Sequence, residues 1–178
     1  MNSLRLLLLC GAAALVAGCA SMSESECRRA DWLGRGLADG RAGEPMSQLD
    51  DHAKACAKAG VVPDAQRWQQ GWTAGVAEYC RPGSAWRAGA AGKTYQGVCQ
   101  AHDEYSFRRF YEAGREVYRA RMDMERIGRD VNRAEEDLRK AKTEEERRTL
   151  RERIQSMDRE RARIRRSIDA MERTAPPL

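Results

Sequence analysis

Residues 117–141 read VYRARMDMERIGRDVNRAEEDLRKA, and the fold turns on how this stretch continues. Val117, Ala120, Met124, Ile127, Val131, Ala134, Leu138 and Ala141 step by three and four residues without a break, the a/d seam of a coiled coil. A second seam runs through Leu150, Ile154, Met157, Arg161, Ile164, Ile168 and Met171. Nine residues separate Ala141 from Leu150, which at about 100° per residue sets the second stripe half a turn out of phase with the first. One unbroken helix would carry the two stripes on opposite faces. A reversal near Lys142-Thr143 satisfies both, because Thr143 with Glu146 makes a capping box and Glu144 and Glu145 suit the positive start of a helix. Residues 117–173 are therefore expected to form an antiparallel coiled-coil helical hairpin, with arms of roughly 40 Å at about 1.5 Å per residue. Ala at three of the four d positions of the first arm permits close packing. The competing arrangement is one long helix dimerising through both seams, since no Gly or Pro marks the reversal. Residues 174–178 remain as a tail.

Toward the N-terminus the composition changes. Large aliphatics are scarce from 27 to 115: Leu33, Leu37, Leu49, Val61, Val62, Val76 and Val98 are most of them. Such a region must lean on aromatic rings and disulfides for its stability. Trp32, Gly36 and Gly40 share one helix face with Asp39 beside them. Ser47 to Ala59 reads as a second short helix, with Ser47 as N-cap and Gly60 as its stop. A third opens at Pro63-Asp64 and runs to about Cys80, carrying Trp68, Trp72, Gly75 and Tyr79 as an aromatic stripe. Gly36/Gly40 and Gly71/Gly75 are both GxxxG spacings. On helices this polar they point to close helix approach, with a Trp of one helix over glycines of another, rather than to membrane association. Residues 81–100 are Gly-rich and read as a structured loop with one short helix. Trp86-x-x-Gly89 echoes Trp68-x-x-Gly71 as a degenerate repeat. The expectation is an all-α protein: a disulfide-stabilised helical domain over 27–116, then the hairpin.

Compartment comes from the first residues. Arg5 and the apolar run Leu6 to Val16 form a signal segment, residues 1–18, too short to span a bilayer as a mature helix. Leu15-Val16-Ala17-Gly18-Cys19 resembles the lipobox of bacterial lipoproteins, which implies cleavage before Cys19 and lipid (palmitate among the chains) on its sulfur. Ala20 rather than Asp after the Cys implies, in such proteins, the outer membrane and a periplasmic mature chain. Residues 19–26 are expected to be a flexible tether. Six cysteines become four once Cys10 leaves with the signal and Cys19 takes lipid. Cys27, Cys56, Cys80 and Cys99 then read as two disulfides in an oxidising compartment. Cys27 begins the first helix and Cys56 ends the second, while Cys80 and Cys99 bracket the Gly-rich loop, so the expected pairs are Cys27–Cys56 and Cys80–Cys99. No CxxC knuckle favours a metal.

The spacing of Asp31-Trp32, Gly36, Asp39-Gly40, Gly43, Cys56, Gly71, Gly75, Tyr79-Cys80, Gly92, Tyr95, Gly97-Val98-Cys99, Phe110-Tyr111 and Gly114 resembles a family of Gram-negative lipoproteins known as domain of unknown function 2799. The resemblance covers roughly 27–118, with Trp68 where the family has Tyr. It implies an envelope location and no established activity.

Signals of chemistry are sparse. No nucleophile elbow, HExxH, Walker loop or dinucleotide fingerprint occurs. His102-Asp103-Glu104 suits a helix entry better than a metal site. Asp31 and Asp39 are the one candidate carboxylate pair, and capping and turn roles account for both. Neither an enzyme, a cofactor nor a metal is expected. Residues 19–178 carry 31 basic against 27 acidic residues, too mild a bias for nucleic acid. Arg159, Arg161, Arg163, Arg165 and Arg166 form a basic run that reads as a solvated coiled-coil face. The expected function is a membrane-anchored structural or interaction lipoprotein that meets a protein partner, or a second copy, through its hairpin. The alternative is a glycan- or lipid-binding module using exposed aromatics of 27–116, which requires the tryptophans at the surface.

Overall fold

The computed structural model describes residues 21–177. The signal segment 1–18 and Cys19 lie outside the described residues. The regular elements are α1 (Glu24–Arg28), α2 (Trp32–Ala42), α3 (Gln48–Ala57), α4 (Ala65–Tyr79), α5 (Pro82–Ala90), α6 (Glu104–Lys140) and α7 (Glu144–Arg173). No strand occurs among the described residues. The chain divides into two compact units after Gly75, and α4 runs across the division. This differs from a boundary at 116/117: α6 passes through that point without interruption, so the start of the heptads is not the start of a new body.

In the first unit, α1 is short but firmly started. The Ser23 hydroxyl accepts from the Glu26 amide, and the Glu26 carboxylate accepts from the Ser23 amide at 2.7 Å, a capping box. Met22 is 5% exposed, in one core cluster with Cys27, Trp32, Cys56 and Trp68. The expected tether over 19–26 is thus corrected for its described part: residues 21–26 fold, because Met22 has a core to enter. Cys27 is bonded to Cys56, with Cα atoms 5.4 Å apart, tying α1 to α3. Helix α2 stops at Gly43, whose φ of 78° ends a helix without Cβ strain.

Helices α2 and α4 meet through glycines on both sides. A Cβ added at Gly36 would collide with the Trp68 carbonyl and lie 2.9 Å from the Trp72 nitrogen. One added at Gly71 would collide with the Leu33 carbonyl and lie 2.8 Å from the Leu37 nitrogen. Gly75 repeats the contact one turn on, against Leu37 and Arg41, so the two helices run in the same sense. Backbone packs on backbone, closer than the Trp-over-glycine contact that the spacing suggested. Each glycine costs its helix about 1 kcal/mol relative to alanine, which the dispersion contact of two bare backbones offsets.

The second unit repeats this crossing with other residues. A Cβ at Gly114 of α6 would collide with the Trp86 carbonyl and lie 2.8 Å from the Ala90 nitrogen. One at Gly89 of α5 would collide with the Tyr111 carbonyl and lie 2.8 Å from the Arg115 nitrogen. The offsets match the first unit residue for residue. Each WxxG helix offers its Trp carbonyl to the partner glycine, and its own glycine meets the carbonyl three residues before that partner. The Trp68/Trp86 echo in the sequence is therefore a repeat of structure.

Cys80 is bonded to Cys99, with Cα atoms 5.7 Å apart, closing off α5 and the loop after it. Tyr95 folds inward from that loop, 4.6 Å from the Phe107 ring. Its hydroxyl accepts from the Cys99 amide at 2.9 Å and donates to Glu104 at 3.2 Å. Asp103 caps α6 by accepting from the Ser106 amide at 3.0 Å.

Helices α6 and α7 form the hairpin, reversing over Ala141–Thr143 with the Thr143/Glu146 capping box in place. The continuous-helix arrangement is excluded. Ile127, Val131, Ala134 and Ile168 are buried in the seam. At its base the hairpin does more than seal itself. Val117 and Ile168 form one cluster with Ala90 of α5, and Trp86, Ile164 and Met171 pack against it. Arg121 reaches from α6 to the Ala90 carbonyl and pairs with Glu172 at 2.6 Å.

Candidate functional site: a buried polar relay ending at Ser21

The face of α2 that carries the glycines also carries Asp39, which is 8% exposed. A carboxylate so placed must find donors or remain protonated. It finds two: Asp39 Oδ2 accepts from His52 Nε2 at 2.8 Å and from Trp68 Nε1 at 2.9 Å. His52, on α3, is 1% exposed. Its other nitrogen, Nδ1, lies 2.9 Å from the Ser21 hydroxyl. The Trp32 ring lies 6.4 Å from the imidazole. Three helices and the chain before α1 thus meet in one hydrogen-bonded row.

Donor and acceptor roles in this row follow from its ends. An indole N–H only donates and a carboxylate only accepts, so the neutral imidazole carries its proton on Nε2 toward Asp39. Nδ1 then holds a lone pair, and the Ser21 hydroxyl donates to it. Ser21 is partly exposed, so the row runs from buried carboxylate to accessible hydroxyl.

The second unit shows what the same packing does without polar groups. Val117 follows Gly114 by three residues as Asp39 follows Gly36, and Val117 is 0% exposed. Trp86 and Ile168 pack with it. An apolar trio therefore suffices for a crossing of this geometry. Replacing buried charged pairs by apolar residues is often neutral or stabilising by about 1–4 kcal/mol, so stability alone does not account for Asp39 and His52.

The residues singled out in the sequence fall as follows. Asp31 and Asp39 do not form a pair: Asp31 is at the surface, 3.7 Å from Arg67, while Asp39 is held by His52 and Trp68. His102 is exposed in the turn before α6. No group of three metal-binding side chains occurs among the described residues. Trp32 and Trp68 are buried, Trp72 is half-buried with its N–H on the Glu44 carbonyl at 2.8 Å, and Trp86 packs against the hairpin base. Two tryptophans are thus spent in the core of the first unit and two stay partly exposed, and Tyr105 is 82% exposed. An open groove of about 430 Å³ is lined by Met22, Ala30, Gly34 and Ala38 together with the charged Glu26, Arg29, Asp31 and Arg35. The relay itself was missed. Its signal was an acid on the glycine face of α2, together with His52 one turn before Cys56 on the buried side of α3.

These features define an all-helical protein with two disulfides, two glycine-mediated helix crossings and a long hairpin. Residues 31–116 match the model of a family described as a protein of unknown function (DUF2799). No curated protein and no solved structure matches the chain. The family match takes in both glycine crossings, Asp39 and His52. It ends one residue before Val117 and leaves Ser21 and Cys27 outside.

Proposed function

We propose that the chain is a lipid-anchored protein of the bacterial envelope, held at the outer membrane through Cys19 and facing the periplasm, with the hairpin as its contact element. The anchor rests on Leu15-Val16-Ala17-Gly18-Cys19, and the two disulfides suit an oxidising compartment. The observation that carries the contact role lies on α7. Arg159, Arg163, Arg166 and Arg173 are exposed and share the face opposite the seam, and none of them has an ion-pair partner among the described residues. Most other hairpin arginines are paired, for example Arg126 with Asp123 at 3.0 Å and Arg148 with Glu152 at 3.0 Å. The unpaired row extends about 21 Å at 1.5 Å per residue. Guanidinium groups in a row favour carboxylates offered by a protein surface, through bidentate bonds.

Two measurements test the two halves separately. Cys19→Ser should accumulate as an unprocessed precursor; a processed, membrane-bound serine variant would sink the anchor. For the contact, a photo-crosslinker at Ala162 should give discrete adducts in whole envelopes. They should vanish when Arg159, Arg163 and Arg166 are all changed to Glu in a variant of unchanged helicity. Adducts that persist would mean that the hairpin face is not the contact.

A further inference from the structure

We propose that Ser21 is an activated nucleophile and that the relay behind it serves acyl transfer from a carboxylic ester. This reading is independent of the anchor and of the hairpin. It departs from the expectation, drawn from the sequence, that the protein is no enzyme.

Four observations carry it. The Ser21 hydroxyl lies 2.9 Å from His52 Nδ1, within the reach of a general base. His52 Nε2 lies 2.8 Å from Asp39, which fixes the ring and leaves the lone pair on the nitrogen that faces serine. Trp68 holds the same carboxylate oxygen at 2.9 Å, so Asp39 cannot turn away from the imidazole. Finally, Val117 holds in the second unit the place that Asp39 holds in the first, three residues after the crossing glycine, and packs with Ile168, so the fold has an apolar solution for this packing that the first unit does not use. The relay has the order nucleophile, base and orienting carboxylate that acyl transfer requires.

The chemistry balances with water as the only co-substrate. The Ser21 hydroxyl proton passes to His52 Nδ1 as the oxygen attacks the ester carbonyl carbon. The carbon–oxygen bond to the alcohol breaks, and the departing alkoxide takes the proton from His52. Water, deprotonated by the same nitrogen, then attacks the acyl-serine and releases a carboxylic acid, and the serine regains its proton.

The test uses the full chain in detergent, with a fluorophosphonate as covalent probe and p-nitrophenyl acetate and butyrate as esters. A single adduct should map to Ser21, and ester turnover should disappear with Ser21→Ala while the melting temperature holds. His52→Gln should slow labelling by about 10²-fold or more, the usual contribution of a general base. Ser21→Cys should be alkylated by iodoacetamide faster than Ser21→Cys/His52→Gln. If His52→Gln fails to fold, the Ser21 variants still decide. A folded wild-type chain that takes no adduct at Ser21, or a folded His52→Gln chain labelled equally fast, would overturn the proposal and leave the relay a structural pin.

Discussion

The carbonyl of Trp86 occupies the space that any side chain at Gly114 would have to enter. Trp68 stands in the same relation to Gly36. Alanine at either glycine must push two helices apart. Gly114→Ala and Gly36→Ala should each lose about 1–3 kcal/mol or more despite the better helix propensity of alanine. Gly128, in the same helix as Gly114, has nothing within 4 Å of an added Cβ. Gly128→Ala should therefore stabilise by about 1 kcal/mol. Urea unfolding of the three variants measures this, and equal behaviour of positions 114 and 128 would refute the close crossing.

The relay can be weighed against its apolar counterpart by a double-mutant cycle. Asp39→Val alone strands the His52 and Trp68 N–H groups in the core and should cost roughly 3–5 kcal/mol. His52→Leu alone strands the carboxylate, with a cost of the same order. The double variant should recover the part of the loss that belongs to the His52–Asp39 pair, with the Trp68 N–H still stranded. Additive single costs would show that Asp39 and His52 do not depend on each other.

The base of the hairpin belongs to the core of the second unit. Ile168→Ala should destabilise it by about 2–5 kcal/mol. Truncation after Glu116 removes Val117 and Ile168 together and should unfold the second unit, seen as loss of helical dichroism and rapid reduction of Cys80–Cys99. A self-sufficient 27–116 domain followed by a hairpin that serves only as contact element, the division expected from the heptads, predicts a folded fragment instead.

Arg161 stands at a seam position, and its Nε is buried with no hydrogen-bond partner. An unsatisfied buried donor costs about 1–3 kcal/mol, so Arg161→Leu should stabilise the hairpin by a comparable amount. Calorimetry of the full chain checks the sign. A lower melting temperature would mean that the guanidinium stem packs better than leucine does.

Burial pushes the Tyr95 phenol above its ordinary value, with Glu104 adding to the rise and the Cys99 amide opposing it. A raised phenol contributes stability that is fully present below the unfolded value of 10.0 and is lost as pH climbs through the folded one. The loop between α5 and α6 should therefore loosen only in alkali beyond that point. Phenolate absorbance compared with Tyr95→Phe follows it, and ionisation below the ordinary range would contradict the buried hydroxyl.

Much of this architecture was legible because it rests on local rules. The half-turn phase slip between Ala141 and Leu150 required a reversal, and Thr143 with Glu146 marked where it falls. The entry at Asp103 likewise follows from backbone chemistry near one residue. What was not legible depends on distant partners. Helix α6 begins at Glu104, but its first turns serve α5 rather than α7, so their apolar pattern does not join the heptads that start at Val117. Ser21 carries no periodic signal, and its place is set by His52, 31 residues away. Asp39 could be seen to face inward, yet the sequence alone did not pair it with one of only two histidines.

Residues 21–27 are fastened four times: Ser21 to His52, Met22 in the core, Ser23 with Glu26, and Cys27 to Cys56. With a lipid on Cys19, Ala20 alone would intervene between anchor and fold, a leash of about 7 Å at 3.3–3.6 Å per residue. A leash that short gives the first unit almost no slack. It would rest against the headgroups instead of drifting at a distance set by a loose linker. Lengthening it with a few glycines and serines between Ala20 and Ser21 would free that footing without touching any bond in the fold.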